Sequence, residues 1–134
     1  MAEEVGVRRG APSLRMRWLT VAGYVAVIFL LSAQPGLHVP GTFVYRDKIA
    51  HFLEYGGLGT LVWLAARDTW PTQKPLNRAL LVLLACMALG AIDERFQAGI
   101  PGRESSVYDW LADSTGALLA QLWGLSREMR REVG

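Results

Sequence analysis

Charged residues stand inside stretches that otherwise read as lipid-facing helix, and this restricts the fold of the chain more than any other feature. Segment 92–116, IDERFQAGIPGRESSVYDWLADSTG, places Asp93, Glu94, Gln97, Arg103, Asp109 and Asp113 between two apolar runs, LLVLLACMALGA and GALLAQLWGL. A second charged stretch, DKIAHFLEY at 47–55, interrupts apolar sequence in the same way. An ionised side chain at mid-bilayer costs roughly 2.5 to 3.5 kcal/mol on insertion scales. Several of them are tolerable only if they face one another, so the two stretches are expected to meet in space.

With 134 residues the chain has room for one domain. It is 51% hydrophobic and 19% charged, with a mean hydropathy of +0.21, which is too apolar for a soluble domain of this length. It is also too punctuated for a single anchor. A net charge of +2 does not indicate a nucleic-acid partner, because the basic residues stand in short groups between apolar runs with no interleaved aromatics. Cys86 is the single cysteine and lies in an apolar run, so it reads as a small packing residue.

Backbone groups in hydrocarbon must be satisfied within their own segment, and the sequence has no series of alternating strands, so the spans are expected to be helical. The expected fold is all-α: a four-helix transmembrane bundle with antiparallel neighbours. Span one covers 16–33 and is stopped by Pro35 and Gly36. A loop at 36–46 leads to span two at 47–66, with Asp47 as its N-cap. Segment RDTWPTQKPLNR reads as a loop, and span three follows at 77–97. Turns at Gly99, Pro101 and Gly102 lead to a capping box, Ser106-x-x-Asp109, which opens span four to about 125. Residues 1–15 are expected to be a disordered basic cytoplasmic tail and 126–134 a cytoplasmic C-terminal tail. The basic residues before span one and the small residues Ser32-Ala33-Gln34 also resemble a cleavable signal. Three later apolar runs favour an uncleaved span.

Ten Lys and Arg residues fall on the side of the two termini: Arg8, Arg9, Arg15, Arg17, Arg67, Lys74, Arg78, Arg127, Arg130 and Arg131. Four fall on the other, Arg46, Lys48, Arg95 and Arg103. The positive-inside rule puts both termini in the cytoplasm, and the two polar stretches on the extracytoplasmic side. Asp47, His51 and Tyr55 share one face of span two, Asp109, Asp113 and Gly116 share one of span four, and Glu94 pairs with Gln97 on span three. These stripes predict a polar cleft that opens outward and is closed below by leucines. Trp18, Trp63, Trp70 and Trp123 are expected at the inner interface, with Tyr45, Tyr108 and Trp110 at the outer one.

Nine residues are candidates for ligand binding: Asp47, Lys48, His51, Tyr55, Glu94, Gln97, Arg103, Asp109 and Asp113. Of these, His51, Glu94 and Asp113 have the chemistry of a general acid or base. His51 reads either as a proton carrier oriented by Asp47 or as a buried histidine joining helices. Asp47 and Asp109 also suit helix caps. Lys48 and Arg103 are the expected counter-charges of Glu94 and Asp113. Arg103 suits a phosphate or carboxylate, or a salt bridge to Asp93 or Glu94. One nearby histidine and no thiolate argue against structural zinc, and no metal ligand is assigned. A hard cation held by Asp and Glu stays open. No cofactor is expected. Ser105, Ser106 and Ser114 read as caps and packing residues rather than nucleophiles.

The motifs LSAQP at 31–35, DKIAHFLEYGGLG at 47–59 and DERFQAGIPGRESSVYDWLADSTGALLA at 93–120 resemble the VanZ family of small membrane proteins, in order and over most of the chain. The chain departs from the family pattern in having Asp113 where Asn is frequent and Gly99 where a bulky apolar residue is frequent. The resemblance implies a multi-pass protein of the cell envelope, linked in some members to reduced susceptibility to glycopeptides such as teicoplanin. Membrane lipid is then the expected partner, with an envelope precursor or glycopeptide-related ligand at the cleft. The competing expectations are an intramembrane acid/base or metal-assisted hydrolase acting on a lipid-linked substrate, and polar pairs that merely fix helix register.

Overall fold

A computed structural model describes residues 11–35 and 45–133. Four helices make up the fold: α1 (Leu14–Ser32), α2 (Arg46–Thr69), α3 (Pro75–Gln97) and α4 (Val107–Val133), with no strand among the described residues. The all-α expectation holds. Residues 1–10 of the expected N-terminal tail and most of the 36–46 loop lie outside the described residues.

Local chemistry sets the helix ends. Ser13 Oγ accepts the Met16 N–H at 3.3 Å and opens α1. Asp47 is not the N-cap of α2. That position belongs to Tyr45, and Asp47 lies in the first turn, where its carboxylate still opposes the positive end of the helix dipole. Pro75 begins α3 two residues before the expected start, in the first turn, where proline's missing N–H costs nothing. At the C-terminus α4 does not end near 125 but continues through the basic segment, with Arg130 and Arg131 in its last turn.

The molecule is inverted relative to a soluble protein. Leu53 and Leu84 are each 62% exposed, whereas Arg78, Asp93 and Asp113 are 0% exposed. Two helices, α1 and α3, are long and apolar enough to cross a membrane. The other two are equally long, but their polar residues form a buried face while Ile49, Leu53, Leu118 and Leu122 point outward.

The most extensive pairing is between α2 and α4. It depends on small residues: Gly56 and Gly59 on α2 face Gly116, Ala117 and Ala120 on α4. A Cβ on Gly116 would land on the Phe52 carbonyl oxygen and lie 2.9 Å from the Gly56 nitrogen, so only glycine permits this backbone approach. Below the polar ends the core consists of Tyr55, Leu58, Val82, Cys86 and Ala117, with Val21 and Ile28 from α1. Leu61, Leu83 and Leu89 pack against this cluster, so leucines lie beneath the polar region together with Tyr55 and smaller residues. Cys86 is buried and free, as its surroundings in the sequence suggested. Trp63 differs in burial from the other three tryptophans expected at the inner interface. It is 2% exposed and packs beneath the Arg78 guanidinium, while Trp18, Trp70 and Trp123 are exposed.

Candidate functional site

The N-terminal ends of α2 and α4 and the C-terminal end of α3 meet at one level, because consecutive helices run antiparallel and α2 lies against α4. His51 stands at the centre. Its Nδ1 lies 2.9 Å from Asp113 Oδ1 on α4 and 4.0 Å from Glu94 Oε1 on α3. All three residues are buried. Thus the two charged stretches converge, 62 residues apart in sequence at the His51–Asp113 contact.

Several partners differ from those expected. Asp113, not Asp47, holds the imidazole. Lys48 donates to Asp109 Oδ1 at 2.7 Å, and neither Glu94 nor Asp113 takes it as counter-charge. The capping box does not form. Glu94 Oε2 accepts the Ser106 N–H at 2.7 Å, the contact expected of Asp109, so a carboxylate from α3 caps the start of α4. The physical reason is that Asp109 already faces an ammonium, the stronger donor. Arg103 lies 3.8 Å from Asp47 rather than against Asp93 or Glu94. The turn that places it needs Gly102, whose φ of 77° is left-handed.

Gln97 does not pair with Glu94. Its amide donates to Asp93 Oδ2 at 3.1 Å and to Ser32 Oγ at 3.2 Å, which ties α3 to the end of α1. Ser32, which suggested a cleavage signal in the sequence, is 3% exposed and forms part of this wall. Tyr55 lies fully buried one turn below His51. Trp110 is half-buried, and its indole donates to the Met87 carbonyl at 2.9 Å. Asp47 remains exposed at the rim.

The cluster is incompletely satisfied. Glu94 Oε1, Asp113 Oδ2, Asp93 Oδ1 and the Tyr55 hydroxyl are buried with no hydrogen-bond partner among the described residues. Two ligand-like groups share the imidazole, His51 with Glu94 and Asp113, and His51 with Asp47 and Asp109. The ligand atoms of each lie within 4.8 Å of one another. An imidazole between two carboxylates can move a proton or hold a cation.

Sequence reasoning missed an ion pair between a buried arginine and a partly exposed glutamate at the opposite end of the helices. Arg78 is 0% exposed and donates from Nη2 to both carboxylate oxygens of Glu128 at 2.6 Å. Its Nη1 donates to the carbonyls of Trp70 and Gln73, and its guanidinium lies over the Trp63 ring at 4.9 Å. The available signal was that Arg78 falls within the expected span three, immediately before its apolar run. Two cavities lie away from the His51 cluster. One of about 340 Å³ is lined by Trp63, Arg67, Trp123, Arg127 and Arg131. The other, of about 250 Å³, is an apolar groove among α1, α2 and α3.

Residues 14–125 match the sequence model of the family described as VanZ/LLP1. No curated protein and no solved structure matches the chain significantly.

Proposed function

Because the chain belongs to the VanZ/LLP1 family, we propose that it is a four-span protein of the bacterial plasma membrane whose polar helix ends recognise the head group of an envelope lipid or peptidoglycan precursor. Both termini face the cytoplasm in this reading. Its support is the inversion of α2 and α4. Helices that bury acids against one another and expose leucines suit lipid, although their average composition falls short of a span. The excess of basic residues at the opposite end supports the orientation.

One observation carries the recognition reading. A buried set of His51, Glu94 and Asp113, in which two carboxylates share one imidazole, lies beneath a rim of Lys48, Asp47 and Arg103. The carboxylates suit amines and hydroxyls, and Arg103 suits an anion. The expected consequence is an effect on glycopeptide susceptibility. Cells carrying Glu94→Gln or Arg103→Ala are compared with wild type for teicoplanin susceptibility at equal membrane abundance. Unchanged susceptibility in both variants rejects the reading.

The 2.9 Å contact between His51 and Asp113, with Glu94 at 4.0 Å, favours a second reading: acid/base hydrolysis of a lipid-linked substrate. Purified protein would then turn over a radiolabelled envelope lipid. Turnover that persists in His51→Ala removes His51 from that role.

A further inference from the structure

We propose that His51, Glu94 and Asp113 bind a divalent transition-metal ion. The ligand atoms come from three different helices and converge within 4.8 Å of one another. His51 Nδ1 stands 2.9 Å from Asp113 Oδ1 and 4.0 Å from Glu94 Oε1. Ligands held about 2.1 Å from an ion lie about 3.0 to 3.4 Å apart, depending on whether the geometry is octahedral or tetrahedral. The two separations from His51 bracket that range, so a shift of the Glu94 carboxylate toward the imidazole brings its contact into it.

The unpartnered atom is the second observation. Glu94 is 5% exposed, its Oε1 faces the imidazole, and that oxygen has no hydrogen-bond partner among the described residues. Buried acceptors left in this state are rare and call for an occupant. Glu94 is also pre-positioned, because its other oxygen is fixed by the Ser106 N–H. Gly90 makes room for Asp113: a Cβ at that position would lie 3.0 Å from Asp113 Oδ2.

Charge points the same way. A proton on the imidazole leaves the buried trio with a net charge of about −1, whereas a divalent ion on neutral imidazole and two carboxylates leaves it neutral. Lys48 already balances Asp109 and is not available to the trio. One imidazole with two carboxylates and no thiolate suits Mn²⁺, Fe²⁺ or a non-structural Zn²⁺ better than Ca²⁺ or Mg²⁺. Three protein ligands leave positions for water or for an oxygen of a phosphate or carboxylate. The inference thus deepens the head-group reading and rests on the same cluster of residues.

Its test reads the ion alone. Full-length protein in lipid nanodiscs is stripped with chelator and titrated with Zn²⁺, Mn²⁺ and the spectroscopic probe Co²⁺ in excess Mg²⁺. Wild type is expected to take up one equivalent, with visible Co²⁺ bands and a raised unfolding temperature. His51→Gln, Glu94→Gln and Asp113→Asn, each eluting as folded protein, are expected to bind about 100-fold more weakly or worse. Wild type that takes up no stoichiometric ion overturns the proposal, even if a variant fails to fold. So do folded variants that bind like wild type. Loss of the ion reading leaves the susceptibility test standing, and an unchanged susceptibility leaves the ion titration standing.

Discussion

Charged groups are buried at both ends of the helices, but the two ends differ in how far they are satisfied. At the Arg78 end, one cation meets one carboxylate, both of whose oxygens accept from Nη2, with two carbonyls and an indole face around it, although its Nε has no hydrogen-bond partner among the described residues. At the His51 end, two carboxylates crowd one imidazole, and several oxygens lack partners among the described residues. Burial alone therefore does not mark a functional site. A buried ion whose charge and hydrogen bonds are nearly matched holds helices together, whereas one left with surplus acceptors is poised to receive something.

The largest effect is expected from Arg78→Ala. It leaves Glu128 and two carbonyls without their donor; removal from a fully buried pair costs roughly 3 to 5 kcal/mol, and because the Glu128 side chain is 22% exposed the expected loss is about 2 kcal/mol. Reversible unfolding in detergent measures the loss. A change below about 1 kcal/mol, the range of an exposed pair, would erase the contrast between the ends. A smaller effect is expected at the other end. Asp113→Asn keeps the shape and one acceptor toward His51, and interhelical hydrogen bonds in membranes average about 0.6 kcal/mol, so stability shifts by about 1 kcal/mol or less. The susceptibility effect, however, is lost. The reverse outcome, a large loss of stability with susceptibility intact, would make the His51 cluster a register device like its counterpart.

The convergence of His51, Glu94 and Asp113 was legible, because acids inside apolar runs must face inward and helical spacing assigns each to a stripe. The pairings were less legible. Whether Lys48 meets Asp109 or Glu94 depends on ångström-scale offsets between helices that periodicity does not encode. Glu94 as the cap of α4 was hidden for a similar reason, since a capping box is a local pattern and its acid here comes from another helix. Arg78 and Glu128 lie 50 residues apart, and each reads singly as a solvated or topological charge.

From the order of residues alone follow an all-helical chain, inward-facing stripes of polar groups and the level at which they gather, because hydrocarbon penalises unsatisfied charge wherever it occurs. Tertiary packing settled which donor meets which acceptor and which oxygens are left over. Those outcomes turn on the close Gly56–Gly116 approach of α2 to α4, and such distances exist only once the helices are assembled.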